Sequence, residues 1–319
     1  MLITLAGCAA PGPRSTPDDS QTRAPEAAGD AQAVSLLGAP LYARPADDAT
    51  PALEANLAAA QQALADNPDD PDRVIWLGRR LGYLWRAAEA IDVFTQGLIE
   101  HPDHAALLRH RGHRYLTLRM FAEAERDLAR AAELIEGQPD EIEQDGAPNR
   151  LNIPLTTLRF NVWYHLGLAR YLQGDYDGAL TAYRACMKAS WRHDDNLVAT
   201  GYWLYLTLMR LDRESEATGV LAMIHDDMNV IEDTAYHRLL LMYKSGAAPL
   251  ETIDLSSATP QDYATLGYGI GAWYQFRDQP AEAARVFEQV IARGPWPAFG
   301  YIAAEVQLAG AKAAAPPTD

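Results

Sequence analysis

The chain has 319 residues, 48% of them hydrophobic, and a mean hydropathy of -0.22, the profile of a soluble, globular, mostly helical protein long enough for one extended solenoid or two compact domains. Its 43 acidic and 27 basic residues leave a formal charge of -16, which argues against a nucleic-acid partner because the phosphates would be repelled. No apolar run is long enough to span a membrane, and two cysteines, Cys8 and Cys186, allow no disulfide framework in a mature chain.

The first eight residues end in Leu5-Ala6-Gly7-Cys8, which resembles a bacterial lipobox, where the signal is cut before the cysteine and its thiol is acylated. Several acyl chains on Cys8 would give stable anchoring where one would be marginal. The apolar stretch is very short and no Lys or Arg precedes it, so the expected true start lies upstream of Met1. From Ala9 to about Thr50 the chain is rich in Pro, Ala, Asp, Ser and Thr without an apolar period, and residues 9–50 are expected to form a disordered tether.

Folding is expected from Pro51, where PALEANLAAAQQALADNP has helical periodicity and ends at Pro68 as a lone capping helix. The stretch Trp76 to Pro102 then reads as a helical hairpin, followed by a second from Arg109 to Leu134. In the second hairpin, Leu108, Gly112, Tyr115 and Leu116 share one helix face and Ala124, Leu128, Ala131 and Ala132 share another, with Arg119 and Met120 in the turn. Gly78 precedes Gly112 by 34 residues, as Ala90 precedes Ala124. An acidic, turn-rich insertion, residues 137–154, follows; it reads as a solvated loop, with a lid beside a groove as the functional alternative.

Trp163 to Ala189 forms the third hairpin, with Leu166, Gly167, Gly174, Tyr176, Ala179 and Tyr183 in register. Cys186 falls on its inner face as a small buried hydrophobe. In WRHDDN, Asp194 or Asp195 is expected to cap the next helix. A fourth unit keeps Ala217 but has Tyr205 where a small residue belongs, and a fifth keeps only a first helix before Pro249. The pattern returns with Gly271, Tyr274, Ala283, Phe287 and Pro295, and Pro297 to Leu308 reads as a closing helix, leaving residues 310–319 as a disordered tail.

These small and large positions, spaced by 34 residues between the first two hairpins and recurring to about Pro295, resemble the tetratricopeptide repeat family, whose units are about 34 residues. The phrases RHRGHRY, NIPLTTLRFNVWYHLGLARYL, LVATGYWLYLTLMRL and WPAFGYIAAE are similar to a bacterial subgroup of that family with no assigned role. The resemblance implies an all-α fold, a right-handed superhelical solenoid of about six hairpins over residues 51–309 with capping helices. It also implies that first helices line a concave groove.

The groove positions hold almost no acid, Asp72 being the exception. They hold Arg79, Arg109, His110, His113, Asn161, His165, His237 and Arg238, with the aromatics Trp76, Tyr164, Tyr202, Trp203 and Tyr268. Guanidinium forks grip carboxylates and aromatic walls suit peptide or sugar faces, so these thirteen residues are the candidate partner-binding set. Three imidazoles at His110, His113 and His165 could hold a metal, but Arg109, Arg111 and Arg114 repel a cation and no metal-binding motif accompanies them, so no metal site is assigned. No catalytic residue or cofactor is assigned either. The expectation is a non-enzymatic adaptor, anchored through Cys8 on the periplasmic face of a bacterial membrane, the outer one, that binds a partner protein's segment. The alternatives are a receptor for a small anionic or glycan ligand, a histidine-based enzyme, and a cytoplasmic location.

Overall fold

The computed structural model describes residues 31–249 and 253–314. Cys8 with its lipobox, the start of the expected tether and residues 315–319 lie outside the described residues.

Among the described residues the fold is all-α, with a two-stranded ribbon at the start, β1 (Ala33–Val34) paired antiparallel with β2 (Pro40–Leu41). A single helix α1 (Thr50–Asp66) precedes the hairpins α2 (Pro71–Tyr83) with α3 (Ala87–Glu100), and α4 (Ala105–Thr117) with α5 (Phe121–Leu134). Then come α6 (Leu158–Leu172) with α7 (Tyr176–Ala189), α8 (Asp194–Arg210) with α9 (Glu214–Ala222), and α10 (Thr234–Ser245). The last pair is α11 (Pro260–Gln275) with α12 (Pro280–Arg293), and α13 (Phe299–Ala314) closes the chain. Helices α2, α4, α6, α8, α10 and α11 touch in series as an inner row, with their partners behind them. One continuous hydrophobic core runs through the stack.

The hairpins share one local rule. A Cβ added at Gly112 would lie 2.7 Å from Leu128, and one at Gly167 would lie 2.6 Å from Tyr183; Gly78 meets Phe94 and Gly271 meets Phe287 in the same way. Each glycine therefore faces the side chain sixteen residues further on, which fills the notch between the two helices. Seven residues after the small position the backbone turns through a left-handed residue: Trp85 (φ 58), Arg119 (φ 65), Gly174 (φ 80), Asp212 (φ 55) and Asp278 (φ 55). For Asp212 the reference position is Tyr205, which cannot fill a notch and instead stacks on Tyr243 at 4.6 Å. Gly and Asp tolerate this conformation, whereas Trp and Arg are strained by it.

The two strained turns are those that hold the C-terminal segment. Trp85 packs edge-on against Trp296 with ring centroids 5.8 Å apart. Arg119 donates from Nε to Glu305 at 2.7 Å, and both side chains are almost completely buried (2% and 0% exposed). Arg119 also donates to the carbonyls of Thr117 and Trp296. The last helix is thus fastened to the turns of the first two hairpins rather than only capping the final pair, as its sequence position suggests.

Three sequence expectations are corrected here. Residues 31–49 are not part of a tether. Leu41 is buried, Gln32 donates to the Trp85 carbonyl at 2.5 Å, Leu36 N–H donates to Glu305 at 2.8 Å, and Trp296 Nε1 donates to the Tyr42 carbonyl at 2.8 Å. Residues 310–314 are helical, the end of α13, rather than tail. Neither acid of the WRHDDN stretch caps α8 with its side chain: Asp194 accepts from Asn229 N–H at 2.6 Å, and Asp195 accepts from the N–H groups of Ile231, Glu232 and Asp233, fixing the start of α10.

Candidate functional site

The inner row was expected to line an open groove, but most of that face is covered by the chain itself. Phe299, the first residue of α13, lies against His113 at 5.3 Å, His165 at 5.6 Å and Tyr164 at 6.4 Å between ring centroids. Further along, Arg210 donates to Gln275 at 2.5 Å and to Gln307 of α13 at 3.0 Å.

Beneath this helix the aromatic candidates form a core. Trp203 Nε1 donates to Tyr164 Oη at 2.9 Å, and Tyr164 Oη lies 3.2 Å from Tyr236 Oη. Tyr268 and Tyr171 pair through their hydroxyls at 2.9 Å, and Trp203 stacks on Tyr268. Tyr202 meets Trp203 edge-on and lies tilted against Tyr236, fully buried. Four of the five aromatics expected to meet a partner, namely Tyr164, Tyr202, Trp203 and Tyr268, therefore face each other, and the physical reason is curvature: inner-row rings close enough to touch exclude any third body. Burial raises the hydroxyls of Tyr164, Tyr202 and Tyr268 well above the usual phenol range.

The basic candidates at the N-terminal end are arranged differently. The insertion, most of whose residues are exposed, is held against α2, α4 and the start of α6, as the lid alternative expected. Its Glu143 forms an ion pair with Arg109 at 2.8 Å and accepts from Asn161 at 2.6 Å. Arg79 donates to the Gln144 carbonyl at 2.7 Å and Arg80 to the Gly146 carbonyl at 2.8 Å. Gly146 passes so close to the Tyr83 hydroxyl that no Cβ could be accommodated without a shift. Ile142 bridges to Thr157 just before α6, where the Thr157 hydroxyl accepts from Phe160 N–H and starts the helix.

Under that segment a half-enclosed cavity of about 130 Å³ is lined by Arg79, Tyr83, Phe94, Arg109, His110, His113 and Arg114. The His110 ring stacks on Phe94 and its Nδ1 lies 2.8 Å from Arg109 Nη1, while His165 Nδ1 lies 2.6 Å from the Asn161 carbonyl. Burial, reinforced by the neighbouring guanidinium charges, holds His110, His113 and His165 well below the usual imidazole range, so all three are neutral at physiological pH. Among the described residues no cluster of His, Cys, Asp or Glu is arranged to hold a metal ion.

The remaining candidates are not brought to this place. Trp76 lies beneath the guanidinium groups of Arg79 and Arg80, facing α1. His237 pairs with the His225 carbonyl at 2.9 Å, and Arg238 borders a separate cavity of about 380 Å³ with Lys244. Cys186 is fully buried among Phe160, Ser190 and Thr200, and burial pushes its thiol up to about 12.

Sequence reasoning missed Arg114, Glu143 and Phe299 as members of this face. The signal for Arg114 was Gly82: a Cβ there would sit 2.5 Å from Arg114 Nη1, so the glycine leaves room for the guanidinium. Nothing in the local sequence marks Glu143 or Phe299, whose partners lie far along the chain.

A family model described as tetratricopeptide repeat matches residues 161–189, the α6–α7 hairpin. No match was found among curated proteins. Solved structures similar to the chain include YrrB, described as a TPR protein with an unusual peptide-binding site, at 14% identity over 80% of this chain and 98% of that one, with a TM-score of 0.41. A tetratricopeptide repeat protein from Parabacteroides merdae is similar at 15% identity over 81% of this chain and 93% of that one, with a TM-score of 0.49. The P58(IPK) TPR domain is similar at 14% identity over 84% of this chain and 96% of that one, with a TM-score of 0.24. The sequence match thus identifies a tetratricopeptide repeat at residues 161–189, and the same notch and turn rule recurs in the hairpins around it.

Proposed function

We propose that the protein is a non-enzymatic adaptor that binds an acidic segment of a partner protein at the N-terminal end of its inner face. The observation that carries this reading is the docked insertion: Arg79 and Arg80 hold backbone carbonyls and Arg109 holds a carboxylate, so this face already takes an extended acidic strand. The same insertion leaves Ile142, Leu151 and Ile153 exposed beside it, apolar surface that a partner would cover. An acid–base enzyme is the less favoured reading because among the described residues no carboxylate pairs with the three histidines to orient them.

Attachment to a membrane is the second part of the proposal. It rests on Leu5 to Cys8, which would be acylated and place the repeats on the periplasmic face of a bacterial membrane, the outer one in a two-membrane cell. Two measurements test the two parts separately. A photo-crosslinking residue at Leu151 or Asp145 should capture one discrete partner in intact cells, whereas one at Thr181 on the outer row should not; capture at Thr181 alone would move the site to the outer row. With the upstream start restored, the chain should fractionate with membranes and Cys8→Ser should release it; equal solubility of both forms would remove the anchor.

A further inference from the structure

The cavity beneath the insertion has more positive charge than the chain supplies partners for. Arg109 spends one guanidinium nitrogen on Glu143 and one on His110, and its Nε, in a side chain only 8% exposed, is buried with no hydrogen-bond partner. Arg79 is hydrogen-bonded to a neutral carbonyl and, at 3.4 Å, to the Tyr83 hydroxyl. The Arg114 side chain has no hydrogen bond or ion pair among the described residues. Its guanidinium is held down to about 10, by burial first and then by the like charges of Arg109 and Arg79, while Tyr83 acts in the opposite direction. Glu143 pairs with Arg109 and the Asp145 carboxylate acts on Arg79, so three guanidinium groups share two carboxylates, Arg114 is left without one, and the imidazoles beside it carry no charge. A partly buried cation without a counter-charge is destabilising, and guanidinium groups around an empty volume are an arrangement an anion relieves.

We propose that this cavity is a binding site for a phosphate group, held by Arg79, Arg109 and Arg114. The volume of about 130 Å³ is on the order of ten water-sized spheres, enough for a tetrahedral oxyanion with part of its hydration, or for a small phosphomonoester, and too small for a folded peptide. Planar guanidinium forks match phosphate oxygens two at a time, and a phosphate supplies the negative charge that Arg114 lacks. Tyr83 and the neutral His110 and His113 complete the wall with groups that can donate or accept one hydrogen bond each. Because Arg79 and Arg109 line the cavity and also hold Gln144 and Glu143, the phosphate would stiffen the same segment that faces the partner. The inference goes beyond the adaptor reading and stands without it, since the isolated chain and inorganic phosphate suffice to test it.

The test is calorimetry and thermal unfolding of the purified chain with sodium phosphate, with glycerol 3-phosphate and with sodium chloride at matched ionic strength. One site per chain is expected for a phosphate compound, with a rise in melting temperature that chloride does not reproduce. Arg114→Gln should weaken binding about tenfold or more. Without phosphate the same variant should melt at or above the temperature of the unsubstituted protein, because it removes an uncompensated charge; a purely structural arginine would instead lower it. Tighter binding of glycerol 3-phosphate than of inorganic phosphate identifies an organic phosphate as the ligand, and equal or weaker binding identifies the free ion. The proposal is overturned if neither compound binds, or if Arg114→Gln and Arg79→Gln bind as the unsubstituted protein does.

Discussion

The two ends of the inner face are built from different kinds of residue and do opposite things. Toward the C-terminal end, Trp203, Tyr268 and Tyr171 pair their rings and polar groups with one another and with Tyr164 and Tyr236, and the Tyr202 ring packs among them. Toward the N-terminal end, Arg79, Arg109 and Arg114 surround a cavity, and Arg114 has no carboxylate partner. Aromatic side chains attract each other and fill space, whereas guanidinium groups repel each other and hold it open. A groove-facing position in a helical repeat is therefore a location and not a role; the role is decided by whether its neighbours can satisfy one another.

The sharpest way to break this contrast is at the join between the two ends of the chain. Glu305→Ala leaves Arg119 buried without its partner and frees Leu36 N–H, so a loss of about 3–5 kcal/mol is expected in urea unfolding. The double variant Arg119→Met, Glu305→Met removes both charges and should recover most of that loss. A small effect of Glu305→Ala would mean that α13 does not close the inner face in solution.

Next in size is the aromatic network. Tyr164→Phe deletes the acceptor of the Trp203 indole N–H and leaves that group buried and unpaired, which should cost about 1–3 kcal/mol in the same measurement. No change would show that the rings are packed loosely enough to admit another partner.

A pH series separates the two ends by the sign of their titrations. Asp233, beside α10, is pushed up to about 8 by burial and by the charges of Asp195, Glu232 and Asp262. Between about pH 4 and 8 the folded protein thus keeps a proton that the unfolded chain has released, and stability falls as pH rises through that range. His110, His113 and His165 act in the other direction: the unfolded chain takes up their protons below about pH 6.5 while the folded protein does not, so stability falls as pH drops below that value. From 6.5 to 8 the histidines still add about 0.4 kcal/mol each as the unfolded chain loses its last imidazolium protons, so Asp233 is read from the difference between proteins: over that interval the unsubstituted protein should lose about 1–2 kcal/mol relative to Asp233→Asn.

The smallest effect is expected at the cavity rim. Arg79→Gln gives up a hydrogen bond to a carbonyl but relieves like-charge repulsion with Arg109 and Arg114, so stability should change by less than about 0.5 kcal/mol. A large loss would mean that Arg79 is a structural clamp for the insertion rather than part of a site with charge to spare.

The sequence determined the repeat. Small residues at Gly78, Gly112, Gly167 and Gly271, each matched by a large side chain sixteen positions later, are local facts, because both helices of a hairpin lie within one stretch of chain. Hairpin boundaries, inner faces, the burial of Cys186 and the concentration of basic groups on the first helices follow from the same short-range period. What covers the inner face was settled only in three dimensions. Glu305 meets Arg119 from 186 residues away, Trp296 meets Tyr42 from 254 and Tyr268 meets Tyr171 from 97, separations with no period to announce them. The insertion was legible as acidic, and its position beside the groove only as an alternative to a solvated loop, since Glu143 finds Arg109 only after α2, α4 and α6 have been set side by side. Composition likewise assigned residues 31–49 to a tether, whereas Leu41, Gln32 and Leu36 are ordered by contacts supplied from α13 and the first hairpin turn. Local pattern fixes which face of each helix is apolar; the curvature of the whole stack decides which of those faces have to satisfy each other and which remain to meet something else.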